Sequence, residues 1–78
     1  MTDAREYTHA VTDPDGETHT FTTFYKVRYA VMMRRDMGRG AWIVQSWREE
    51  KRDADELADF TADATGCPTY VAEVTGHG

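Results

Sequence analysis

The chain has 78 residues, one cysteine and a formal net charge of −5. This length makes one domain, residues 1–78, near the size at which a single core is marginal. The lone Cys67 excludes an intrachain disulfide, no apolar run reaches the ~20 residues that span a bilayer, and MTDAREYTHA lacks a signal-peptide pattern, so a soluble cytoplasmic protein is expected.

With one leucine (Leu57) and one isoleucine (Ile43), the core must come from Val, Met and aromatic residues, and eleven threonines favour strands further. The net charge hides a partition: residues 1–23 sum to −4, residues 24–52 to +5 and residues 53–78 to −6. Such segregation bears on partners rather than on fold.

In chain order, residues 5–12 alternate as a first strand, with Tyr7, His9 and Val11 on one side. Asp13-Pro14-Asp15-Gly16 supplies a turn, and a second strand over 17–23 places His19 and Phe21 against Thr18, Thr20 and Thr22. A third strand, Phe24 to Arg34, puts Tyr25, Val27, Tyr29, Val31 and Met33 on its core face and Lys26, Arg28, Ala30, Met32 and Arg34 on the other. After a turn over 35–40, Ala41–Arg48 is the fourth strand. Its tryptophans, Trp42 and Trp47, are five positions apart and face opposite sides unless a bulge intervenes.

Residues 53–65 read as a helix. Asp53 and Glu56 form a capping-box-like start, Ala54, Leu57, Ala58, Thr61 and Ala64 form the buried stripe with Phe60 at its edge, and Gly66 and Pro68 end it. Thr69–Val74 is a last strand, and residues 75–78 are a frayed tail. The expected fold is α+β, in the order β-β-β-β-α-β: an antiparallel four- to five-stranded sheet with the helix packed on one face. The second sheet face, with Met32, one Trp and basic residues, is left for solvent, a partner or a homodimer seam.

No catalytic, cofactor or metal residue is singled out, and the protein is not expected to be an enzyme. Ser46 lacks a nucleophile-elbow context and Cys67 has no placed basic neighbour. His9, His19, His77 and Cys67 match no zinc spacing, and the DPDG turn lacks the later ligands of a calcium loop. Two charged surfaces remain. Asp55, Asp59 and Asp63 rise about 6 Å per step along one helix row and with Glu56 form an acidic surface that can occupy a basic groove built for a nucleic-acid backbone. An ordinary solvated helix face would have the same composition. Arg34, Arg35 and Arg39 form a basic hairpin that, with an exposed Trp, gives the alternative of a small nucleic-acid-binding module.

In general character, YKVRYAVMMRRDMGRGAWIVQSWR and DADELADFTADATG resemble small phage-encoded anti-CRISPR inhibitors, a group of often acidic α+β domains. The group has no shared motif, so no functional residue is carried over from it. The resemblance implies a stoichiometric inhibitor that binds a type I CRISPR surveillance complex and keeps DNA out of its Lys/Arg-lined path, in the manner of a DNA mimic. A membrane partner is not expected. The partner-binding residues on this reading are Asp55, Glu56, Asp59, Asp63, Arg34, Arg35 and Arg39; a self-associating structural module is the further alternative.

Overall fold

The computed structural model describes residues 6–25 and 27–77. It is α+β, with antiparallel strands and one main helix. The strands are β1 (Tyr7–Thr12), β2 (Thr18–Thr23), β3 (Tyr29–Arg34), β4 (Trp42–Arg48), β5 (Thr69–Glu73) and β6 (Gly76–His77). A single turn, α1 (Arg35–Gly38), joins β3 to β4, and the helix α2 (Lys51–Thr65) precedes β5. The strands divide between two three-stranded sheets, ordered β2-β1-β6 and β4-β3-β5, rather than forming one.

That division answers what covers the second face of the central hairpin. Val11 of β1 packs with Ala30 and Met32 of β3, Trp42 of β4 and Ala72 of β5, with Phe21 and Val44 at the margin. On the opposite face Val31 meets Ala54 and Ala58 of α2, flanked by Tyr29, Leu57 and Val71. The molecule is therefore three layers: sheet, sheet, helix. Strand β3 lies in the middle layer with β4 and β5 on either side, so Ala30, Val31 and Met32 are all fully buried. The face left open for solvent or a homodimer seam is covered by the first sheet, and a one-sided reading of β3 does not hold.

Strand β3 also starts later than the alternation implies. Between β2 and β3 the chain passes from the first sheet to the second, leaving Phe24 and Tyr25 exposed by 63% and 69% while Val27 is buried. A buried polar latch makes the bend. His9 Nε2 lies 2.8 Å from Thr23 Oγ1 and 3.0 Å from the Tyr25 carbonyl, and the Thr23 hydroxyl donates to that same carbonyl. A carbonyl only accepts, so Nε2 carries the hydrogen. Lys26 lies outside the described residues.

In β4 the pairing register slips between Val31↔Ser46 and Met32↔Val44, leaving Gln45 as an extra residue. This bulge makes the separation of the tryptophans even, so Trp42 and Trp47 oppose Arg34 and Ala30 on the same face. Trp42 is the buried one, at 8% exposure against 37% for Trp47, which stacks on Phe21 at 5.7 Å.

The helix begins at Lys51, with Glu50 at the N-cap and no side-chain cap bond, so the Asp53–Glu56 capping box is not formed. Its end is as expected: Gly66 takes φ +72° and its N–H bonds the Ala62 carbonyl at 2.8 Å. Residues 75–77 are not a frayed tail. The Thr75 N–H and hydroxyl both donate to the Ala10 carbonyl, and β6 pairs with β1 through His9↔His77 and Ala10↔Gly76. Gly78 lies outside the described residues. Among those described, no helix is long and apolar enough to cross a membrane.

Candidate functional site

The outer face of α2 is built by helical period. Ala54, Ala58 and Thr61 are buried against the second sheet, which turns Glu56, Asp59, Phe60 and Asp63 outward. Phe60, expected at the edge of the buried stripe, is 68% exposed, and Ala64 is exposed with it. Phe60 lies four positions after Glu56 and three before Asp63, so an aromatic ring sits within a ring of carboxylates. Asp55 is set apart. It is half-buried on the flank of the helix and takes an ion pair from Lys51 at 2.9 Å, a partner the helix start at Asp53 had left out. The Asp55 carboxylate holds the Lys51 ammonium above its ordinary value, chiefly by their hydrogen bond.

The basic residues occupy the hairpin tip, folded against the C-terminal end of α2. A Cβ added to Gly66 would lie 3.6 Å from Met37 Cε, and one added to Gly38 would lie 3.2 Å from Pro68 Cγ. Arg34 is used within the tip: its Nε donates to the Gly40 carbonyl at 2.9 Å, and its guanidinium stands 4.0 Å from Asp15. Arg35 and Arg39 are exposed, and Arg39 lines a recess with Asp36 and Met37. The tip thus lies against the C-terminal end of α2, near Gly66 and Pro68. It does not meet the exposed tryptophan. Trp47 pairs with Ala30 at the start of β3, whereas Arg34 ends that strand, so the basic tip and Trp47 lie at opposite ends of the sheet.

Sequence reasoning missed an aromatic groove at that far end. Tyr7, Phe24, Tyr25, Val27, Trp47, Arg48 and Glu49 line an open cleft of about 500 Å³ between the two sheets. From it a ladder of rings leads inward, Trp47 on Phe21 at 5.7 Å and Phe21 on the buried His9 at 5.0 Å. Arg48 curls back, donating to Ser46 Oγ at 3.0 Å and to the Trp47 carbonyl at 2.6 Å. The adjacent pair Phe24-Tyr25 was the available signal, because neighbours in an extended chain cannot both point into one core.

The polar cluster Asp13, Glu17 and His19 has its ligand-type atoms within 4.8 Å of one another. Its geometry is that of a turn. Asp13 Oδ1 accepts the backbone N–H of Asp15 and Glu17, each at 2.9 Å, and Oδ2 accepts from His19 Nε2 at 2.7 Å. His9 and His19 do not converge, since His9 pairs with Phe21 and His19 with Val11. Cys67 is half-buried, with its N–H on Thr65 Oγ1. Compared with protein-family models, with curated proteins and with solved structures, the chain matches none.

Proposed function

We propose that this chain is a protein-binding module that acts by stoichiometric occupation, laying the acidic outer face of α2 into a Lys/Arg-lined nucleic-acid path. The observation that carries the reading is Phe60, exposed among Glu56, Asp59 and Asp63 on a helix whose opposite side is anchored in the fold. An aromatic anchor ringed by charge is the composition of a binding hot spot, and carboxylates on a rigid rod attract a basic groove as phosphates do. The specific partner follows from the resemblance to small anti-CRISPR inhibitors: a type I CRISPR surveillance complex, whose DNA binding would be blocked. Arg35 and Arg39, exposed on the tip that packs near the C-terminal end of α2, would give the interface its orientation.

The test is titration of the purified surveillance complex with wild-type protein and with two variants, Phe60→Ala and the triple change Glu56→Lys, Asp59→Lys, Asp63→Lys. Binding and loss of DNA capture are expected for the wild type, weakened roughly tenfold or more by each variant at an unchanged circular-dichroism spectrum. Equal binding by all three would remove the acidic-face mechanism.

The open groove of Tyr7, Phe24, Tyr25 and Trp47 favours one alternative, stacking of single-stranded bases on exposed rings. A gel shift at low salt decides it: no retardation of any single-stranded probe excludes that use.

A further inference from the structure

Sheets guard their open edges with bulges, charges, proline or brevity. Among the described residues, three of the four sheet edges have such a device. Strand β4 carries the Gln45 bulge and is bordered by arginines, β5 follows Pro68 and ends on Glu73, and β6 is two residues long. Strand β2, Thr18–Thr23, has none. Its sequence THTFTT contains no Asp, Glu, Lys, Arg or proline, and it pairs with β1 over six residues without a break.

The backbone groups on that edge can be assigned. The Asp13 N–H bonds the Glu17 carbonyl at 2.8 Å, so Asp13 and Glu17 form a hydrogen-bonded pair. Antiparallel pairs alternate. Val11↔His19 and His9↔Phe21 therefore exchange bonds, while Thr12↔Thr18, Ala10↔Thr20 and Thr8↔Thr22 do not. Ala10 bears this out, since its carbonyl turns away from β2 to take the Thr75 amide at 2.8 Å. Thr18, Thr20 and Thr22 consequently point their N–H and C=O groups out of the sheet, and their side chains are exposed as well.

We propose that β2 is a dimerisation strand, pairing antiparallel with β2 of a second copy about a two-fold axis at Thr20 and joining the two β2-β1-β6 sheets into one. The self-match is complementary at each position. Thr20 faces its own copy and Thr18 faces Thr22, threonine pairs that suit adjacent strands and bring no like charges together. The same geometry sends the acidic Asp15–Glu17 turn of each copy toward the end of the other's β2, where Phe24, Tyr25 and Arg28 are exposed. It also covers Phe24 and Tyr25, the most exposed rings at that end of the chain. A strand from an unrelated protein would satisfy the backbone but not this reciprocal charge pattern.

Sedimentation equilibrium on the full chain, from low micromolar to near-millimolar concentration, tests the proposal with the variants Thr20→Val, Thr20→Pro and Thr20→Lys. The wild type and Thr20→Val, which keep the outward N–H, are expected to dimerise. Thr20→Pro removes that N–H without touching the β1 ladder, and Thr20→Lys sets two like charges on the axis, so both should lose the dimer while remaining folded by circular dichroism. Should the proline variant fail to fold, the lysine variant decides. A wild type that stays monomeric throughout, or a lysine variant that dimerises as the wild type does, overturns the proposal.

Discussion

Asp13 is a residue whose carboxylate is almost wholly buried yet fully partnered, by two backbone amides and His19. The hydrogen bond from His19 is the largest influence and outweighs the opposing effect of burial, so its carboxyl is held below the ordinary value of 3.8. The sign of the pH dependence follows. A group with a depressed folded-state pKa contributes stability that is fully present above its unfolded value and is lost as pH falls through the folded one. Asp13→Asn keeps an oxygen for the two amides but has no charge to lose. The wild type should therefore melt higher than Asp13→Asn at neutral pH, with the gap closing as pH drops below 3.8. Thermal melts of the two proteins across the acid range check this, and a gap that does not change with pH would refute the assignment.

Two turns show how much of each element could be read from residue types. The DPDG turn was legible because Asp, Pro and Gly each carry a distinct turn chemistry, and Gly16 takes φ +91° as that chemistry requires. The tip between β3 and β4 was legible only as a turn; Asp36 and Met37 adopt φ +54° and +51°, a region that Asp tolerates but that nothing about Met37 announces. Gly38, at φ +95°, is the pivot, and a Cβ there would lie 3.2 Å from Pro68 Cγ, whereas one at Gly16 would meet open space. Gly16→Ala should cost about 1–2 kcal/mol from backbone strain, and Gly38→Ala more, because the Pro68 ring must also give way. Urea unfolding midpoints rank the two, and equal losses would show that the Pro68 contact is immaterial. The hairpin and the helix likewise emerged from period two and period 3.6, and the C-terminal stop from the residue types Gly66 and Pro68. The bulge did not, because an extra residue is unpaired only by reference to its partner strand, and the faces of Trp42 and Trp47 hung on it. Of the candidate site, the carboxylates of α2 and the arginines of the tip were visible as charge, while the outward Phe60 and the aromatic groove depended on which faces the rest of the chain covers.

At the scale of the whole molecule the two sheets are held by face-to-face packing and by the chain's return after β5. Only the burial of both faces of β3 explains why Ala30, Val31 and Met32 are sealed together, and that burial requires the first sheet to stay in place. Val74 donates its N–H to the Arg28 carbonyl, and the very next residue, Thr75, donates to Ala10 of β1. This single step carries the chain from the second sheet to the first, and β6 then occupies the edge of β1 opposite β2. A chain ending at Val74 would lose the two Thr75 bonds, on the order of 2 kcal/mol at roughly 1 kcal/mol per hydrogen bond, and the β6 pairing in addition. For a domain of this size that is a large share of a total of about 5–10 kcal/mol. The truncated chain should unfold at clearly lower urea concentration, with faster amide exchange concentrated on β1 and β2 rather than on α2. The exchange pattern separates this account from general weakening: loss spread evenly over both sheets and the helix would mean that β6 is only one more strand, whereas an unchanged midpoint would mean that face-to-face packing alone holds the first sheet.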